Sequence, residues 1–407
     1  DIFTKLDEVV GENTILASNT SGLDIDALSS VVKRPEMVVG THFFSPANVM
    51  RLLEVVRGKN TSKEVLATVM KLGKALKKVP VLSLNAPGFI GNRMLYEYTK
   101  QANLLLLEGA LPHQIDNALE SFGMSMGPFR MMDLVGLDLG WRARKLANLE
   151  TPLVNKIAHE LCEQGRFGQK NGKGFYNYNE GSRAPNPAPE NEEIYLRVSQ
   201  ENNINRREIS DSEIVERCIY ALINEGAVIL HEGVSQRAAD MDIVYINGYG
   251  FPIWRGGPMH HANQTGLDTV VSKIQEFAEN DPDSWHLSGS QPTRCAHGCR
   301  PAPRTPRPGV ERPSPRLMGA GGVRSPRRHP QQHGQSIGFK KPVMNSHSPP
   351  VYWAIRAPLV PECPPGSGPT VTGATRPVSK FSIDSGVAGR LSQPGSSPTA
   401  SRAAQEV

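Results

Sequence analysis

The sequence predicts a multidomain protein: a partial α/β sheet, then two copies of one all-α domain, then a disordered tail. Three observations carry this. Short apolar strands alternate with helical segments over residues 1–84, residues 92–109 resemble residues 216–233, and composition changes abruptly at residue 286.

In DIFTKLDEVV (1–10), Ile2, Phe3, Leu6, Val9 and Val10 fall at helical spacing until Gly11 ends the pattern. TILAS (14–18) is a short buried strand, and Asn19-Thr20-Ser21-Gly22 is the polar turn at its carboxyl end. Asp24 to Val32 is expected as a second helix. Strands follow at 37–44 and 52–58, a helix at 62–77 and a last strand at 79–84. Such alternation makes a layered sheet with functional groups at strand ends.

From Gly88 the pattern turns to long helices. NRMLYEYTKQANLLLLEG (92–109) aligns without gaps on ERCIYALINEGAVILHEG (216–233), matching Arg93 with Arg217, Tyr96 with Tyr220 and Glu108-Gly109 with Glu232-Gly233. The same alignment carries Asp116 onto Asp240. After a short insertion, MGPFRMMDLVGLD (126–138) matches GGPMHHANQTGLD (256–268). Two helical domains are therefore expected, at 85–178 and 211–285. A linker at 179–210 separates them, and they either pack on each other or mediate oligomerisation. Cys162 and Cys218 lie in helical patterns as small core residues.

The tail, 286–407, holds 20 of the 33 prolines and 16 of the 45 Lys+Arg but only 4 of the 40 Asp+Glu. Its net +12 against −7 for the remainder makes the basic balance a property of the tail alone. Arg scattered among Pro, Ser and Gly without aromatic interleaving fits a solvated disordered segment better than a nucleic-acid site. Cys295, His297 and Cys299 lack a second ligand pair, so no metal is assigned. Five cysteines form no disulfide framework, which suits a reducing compartment. No apolar run reaches the roughly 20 residues of a membrane span, and no signal peptide is evident.

Chemistry concentrates in GTHFFSPANVMRLLEVVRG (40–58), where His42 ends one strand and Glu54 lies on the next. When a secondary alcohol is oxidised, its hydroxyl proton must leave as hydride leaves the carbon. An imidazole suits that task, and a carboxylate can fix its tautomer. By spacing alone, a His beside two Phe is also an ordinary core or loop residue, so both readings stand at this point.

ASNTSGL (17–23), THFFSPANVMRLLEVV (41–56), NAPGFIGNRML (85–95) and MGPFRMMDLVGLD (126–138), in this order, closely resemble the 3-hydroxyacyl-CoA dehydrogenase family. The duplicated helical domain, GRFGQKNGKGFYNY (165–178) and NGYGFPIWRGGPM (247–259) point to its multifunctional β-oxidation members. The resemblance implies that residues 1–84 are the C-terminal part of a Rossmann-like NAD-binding domain. It also implies NAD-dependent oxidation of (S)-3-hydroxyacyl-CoA to 3-oxoacyl-CoA, in peroxisomes. By the same resemblance His42 is the general acid/base, Glu54 its orienting partner and Asn92 a substrate-side amide. Ser21 then lies near both nicotinamide and substrate, and Asn19 and Ser45 at cofactor contacts. Single-function relatives typically carry Asn where this chain has Ser45.

The chain contains no strand-Gly-x-Gly-x-x-Gly-helix unit, which binds pyrophosphate in a dinucleotide fold. It opens on Asp1 with an amphipathic segment under way, and is read as a fragment without the family's Gly-rich loop or a hydratase domain. It also ends Gln405-Glu406-Val407, not in a Ser-Lys-Leu type address. The expectation is that this polypeptide alone binds NAD poorly; saturable quenching in an NADH fluorescence titration would refute it. A truncated, non-catalytic product acting in assembly or regulation is the alternative reading. A third, a relative acting on another small hydroxy acid, is disfavoured by the second helical domain.

Overall fold

A computed structural model describes residues 2–282 and 284–285, together with the backbone of strands 352–356 and 382–383. The α/β part runs α1 (Ile2–Val9), β1 (Thr14–Ser18), α2 (Ile25–Ser29), β2 (Val38–Phe43), β3 (Leu52–Arg57), α3 (Lys63–Ala75) and β4 (Val79–Leu84). Every residue of β1 is buried, because both faces of the sheet are covered. On one side α3, capped by Ser62 accepting from Val65 N, lays Val65, Val69 and Leu72 on Ile15, Val39, Leu53 and Val55. On the other, Phe3 of α1 and Ile25 of α2 meet Leu16, Val38 and Val56.

The predicted strands form where expected, but α2 ends at Ser29, short of Val32. Ser29 and Ser30 turn their hydroxyls back onto the carbonyls of Asp26 and Ala27. These local bonds compete with helix propagation, and β-branched Val31 and Val32 follow. Within the sheet β1 and β2 are parallel, β2 and β3 antiparallel, and β3 and β4 parallel.

A disordered tail was expected throughout 286–407. Instead, the backbone of β5 (Tyr352–Arg356) pairs antiparallel with β1, and β6 (Ser382–Ile383) pairs with β5, giving the order β4-β3-β2-β1-β5-β6. YWAIR is rich in aromatic and β-branched residues, and the free edge of β1 offers a row of backbone donors and acceptors. The rest of the tail, including Cys295, His297 and Cys299, lies outside the described residues.

The helical part comprises α4 (Gly91–Glu108), α5 (Pro112–Phe122), α6 (Pro128–Val135), α7 (Asp138–Leu146), α8 (Lys156–Glu163), α9 (Glu192–Glu201), α10 (Asp211–Glu232), α11 (Ala238–Gly248), α12 (Pro258–Thr265) and α13 (Leu267–Asn280). They share one core with Leu52 and Val81 of the sheet. Cys162 and Cys218 are buried free thiols in it, pushed up to about 12 by burial.

The stretch read as a linker, 179–210, contains α9. Its Ile194, Tyr195 and Val198 are buried, and Ser199 Oγ donates to Leu107 O at 2.7 Å. The i, i+1, i+4 apolar stripe that positions α9 was masked in the sequence by the acidic residues around it.

The ungapped match of Asp116 with Asp240 is corrected by two residues. Asp116 accepts from Phe129 N and Arg130 N at the start of α6, at 2.9 and 3.0 Å. Asp242 does the same for Met259 N and His260 N at the start of α12, at 2.7 and 3.2 Å. Asp240 instead pairs with Arg237. The shift arises because three residues join α4 to α5 and five join α10 to α11.

Candidate active site

Antiparallel pairing of β2 with β3 sets His42 directly opposite Glu54. On opposed strands, side chains of one residue pair share a face, so the register itself brings the two together. His42 Nδ1 lies 2.7 Å from Glu54 Oε2. Glu54 is fully buried and His42 is 7% exposed.

A buried carboxylate is costly unless its remaining lone pairs are satisfied. Glu54 Oε1 accepts from Gly91 N at 2.9 Å and from Ile90 N at 3.3 Å. These are amides at the N-terminus of α4, where helix N–H groups lack intrahelical partners and favour negative charge. With one oxygen held by two donors, the other is left as an acceptor, which assigns the proton to His42 Nδ1 and the lone pair to Nε2. Phe44 packs against the imidazole at 4.3 Å between ring centroids, and Phe89 at 6.0 Å.

The other predicted residues gather at the carboxyl ends of the parallel strands β1 and β2. Asn19 Oδ1 accepts from Phe43 N at 2.8 Å, so what Asn19 can offer a ligand is Nδ2. Thr20 Oγ1 accepts from Gly22 N and Leu23 N, which closes the turn carrying Ser21. Ser21 and Ser45 are exposed. Asn92, on the first turn of α4, directs Nδ2 to Ser21 O at 3.4 Å. Asn92 thus joins the helical part to the β1 turn, and His42 and Glu54 form a pair on β2 and β3.

Sequence reasoning missed two tyrosines. Tyr249, immediately after α11, donates to Asn92 Oδ1 at 2.8 Å, and Tyr245 of α11 donates to Gly91 O at 3.2 Å. Their rings stack at 4.8 Å, and Tyr249 meets Phe44 edge-on at 5.3 Å. Burial, reinforced by the Glu54 charge, holds both phenols well above their ordinary pKa. Tyr249 was present in NGYGFPIWRGGPM and Tyr245 lies two residues before that segment, but nothing local says that either reaches a helix more than 150 residues earlier.

A polar cavity opens elsewhere, lined by Glu108, Arg207, Glu213, Arg217, Lys273 and Trp285 among others. It lies at the far end of α4, about 25 Å from Gly91 at 1.5 Å per residue. Its cationic side chains are already paired with Glu108, Glu213, Glu216 and Glu276. Among the described residues no group of three or more His, Cys, Asp or Glu is arranged to hold a metal, and no helix is long and apolar enough to cross a membrane.

This site sits within recognisable family boundaries. Residues 1–86 match the NAD binding domain of 3-hydroxyacyl-CoA dehydrogenase, and residues 88–178 match its C-terminal domain. The peroxisomal bifunctional enzyme of Danio rerio is 48% identical over 304 residues, 71% of this chain and 42% of the relative. The corresponding enzyme of Homo sapiens is 45% identical over 304 residues, with the same shares. The crystal structure of the dehydrogenase part of multifunctional enzyme 1 from C. elegans is 36% identical and superposes with a TM-score of 0.52, covering 69% of this chain and 64% of that one. Residues 1–86 and 88–178 thus carry the two domains of the 3-hydroxyacyl-CoA dehydrogenase family. The chain spans 42% of the length of these two curated relatives.

Proposed function

We propose that this chain works as the dehydrogenase part of a multifunctional β-oxidation enzyme, oxidising (S)-3-hydroxyacyl-CoA to 3-oxoacyl-CoA. The observation that carries the reading is the His42–Glu54 pair, fixed by strand register and by two α4 amides. His42 Nε2 takes the hydroxyl proton, and Glu54 stabilises the imidazolium that forms. Asn92 Nδ2 donates to the substrate carbonyl. Bound NAD supplies the hydride acceptor.

Exposed Ser21 and Ser45 and the Asn19 amide, at the carboxyl ends of two parallel strands, fit the nicotinamide end of that cofactor. The pyrophosphate needs a Gly-rich turn that the described residues do not supply. On this reading residues 1–84 belong to the NAD-binding domain, and 85–178 and 211–285 are two copies of the helical domain. They pack against each other through α4 and α10, and the enzyme is peroxisomal, as the Danio rerio and human relatives are by name.

The test is NADH-dependent reduction of acetoacetyl-CoA, with a relative's Gly-rich βαβ unit joined ahead of residue 1 to complete the cofactor site. His42→Gln should lower turnover by about 10²–10⁴-fold. Near-normal turnover in that variant would overturn the role given to His42.

A further inference from the structure

Asn92 has two side-chain contacts of opposite kind. Its Nδ2 donates to Ser21 O at 3.4 Å, and its Oδ1 accepts from Tyr249 Oη at 2.8 Å. A carboxamide rotated by half a turn would set its oxygen against the Ser21 carbonyl, an acceptor only, so that backbone group selects which atom faces it, while the phenol, which can donate or accept, fixes where the carboxamide lies. The 2.8 Å phenol bond is the stronger of the two restraints. Tyr249 is itself held: stacked on Tyr245, edge-on to Phe44, and seated against Gly91, where a Cβ would lie 2.4 Å from the ring. Its phenol stays protonated through neutral pH because burial and the Glu54 charge disfavour the phenolate.

We propose that Tyr249, supplied by the segment after α11, is a positioning residue that locks the Asn92 carboxamide with Nδ2 turned toward the substrate carbonyl. This rests on the reading of Asn92 as the substrate-side amide. Residues 211–285 thereby contribute to a site whose acid/base pair lies entirely on β2 and β3. Without the phenol bond only the 3.4 Å contact to Ser21 O restrains the carboxamide, which then samples other positions and orientations, and substrate loses a fixed donor. Tyr249 acts through Asn92.

The experiment uses the full chain with acetoacetyl-CoA as probe, binding measured by calorimetry and the Asn92 side-chain amide followed by 15N relaxation. Tyr249→Phe keeps the ring and its packing and removes only the hydroxyl. It should weaken acetoacetyl-CoA binding about 10-fold, the scale of one directed hydrogen bond. It should also lower the order parameter of the Asn92 amide in ligand-free protein while leaving thermal unfolding near that of the parent. In an Asn92→Ala background, Tyr249→Phe should cause no further loss.

An unchanged order parameter and affinity in Tyr249→Phe, with Asn92→Ala still weakening binding, would overturn the positioning role and leave the site reading intact. Equal losses from Tyr249→Phe in both backgrounds would also overturn it, because the hydroxyl would then act on the fold. If Asn92→Ala binds as the parent does, the site reading falls and takes the inference with it.

Discussion

Arg217 of α10 reaches Glu108 of α4 with hydrogen bonds of 2.6 and 2.8 Å, and Arg93 of α4 reaches Glu232 of α10 in return. The sequence matches Arg93 with Arg217 and Glu108 with Glu232, so each ion pair is the other's image across the crossing. The relation extends further: Arg93 Nε bonds Glu225, and Arg217 Nε bonds Gln101, the residue equivalent to Glu225. A contact in which i meets j and the counterpart of j meets the counterpart of i is the signature of a two-fold, isologous interface. Here both ion pairs lie between α4 and α10 of one chain, as the proposed duplication of the helical domain would have them.

Breaking one half of that relation should be costly, because the partly buried Glu108 carboxylate loses two charge-assisted bonds and keeps only Arg207, and Gln101 Oε1 loses its donor. Arg217→Met is expected to lower unfolding stability by about 2–3 kcal/mol, with Arg217→Met/Glu108→Gln recovering part of the loss. Urea unfolding of the two variants measures both. Equal stability of the single variant and the parent would mean that the crossing is held by its apolar residues alone.

Gly91 is required for closeness at the foot of α4. Gly91→Ala adds a Cβ that would lie 2.4 Å from the Tyr249 ring, while a helical Ala would ordinarily stabilise. Overpacking should win, with a loss of about 1–3 kcal/mol. Tyr249→Ala in the same chain should make the Gly91→Ala step nearly neutral. The double-mutant cycle reads the coupling.

Glu54→Gln tests the electrostatic part of the proposed acid/base role of the His42–Glu54 pair with little change of shape. The amide can still bond Gly91 N or His42, but it carries no charge to stabilise an imidazolium. Turnover should fall about 10²–10³-fold with a much smaller change in KM for the acyl-CoA. Steady-state kinetics on the protein with a completed cofactor site decide this, and a change confined to KM would contradict it.

Asp116 provides a pH test. Burial, opposed by its bonds from Tyr176 Oη, Phe129 N and Arg130 N, pushes its carboxyl up to about 7 from 3.8. The folded state therefore holds the proton more tightly than the unfolded state. The contribution of Asp116 is greatest below pH about 4 and is lost as pH rises toward about 7. Against Asp116→Asn, which does not titrate, the parent should lose up to about 4 kcal/mol of relative stability across that window. Denaturant unfolding at a series of pH values follows the difference, and a pH-independent difference would show that the hydrogen bonds cancel the burial.

Much of the fold was legible because its signals are local. β1, β3 and β4 are short apolar runs bounded by turn residues, α3 carries an N-cap Ser62, and α4 and α10 carry the same pattern at matched positions. What escaped had a local competitor or a distant partner. α9 was hidden in an acidic stretch, α2 was shortened by two serines, and the counterpart of Asp116 was displaced by a longer connection. Part of the tail pairs with β1, and pairing of that kind depends on a strand edge some 340 residues away in the chain.

For the site, the sequence by itself determined which groups are available: an imidazole, a carboxylate, a carboxamide and exposed hydroxyls, in the order that marks the dehydrogenase family. Only the tertiary structure decided how they are held. The β2–β3 register sets His42 against Glu54, the α4 amides fix the second oxygen of Glu54, and Tyr249 arrives from beyond α11 to hold Asn92. The reason is physical: residue types fix acidity and hydrogen-bonding capacity, whereas orientation comes from partners that the chain brings into contact only when its cores close.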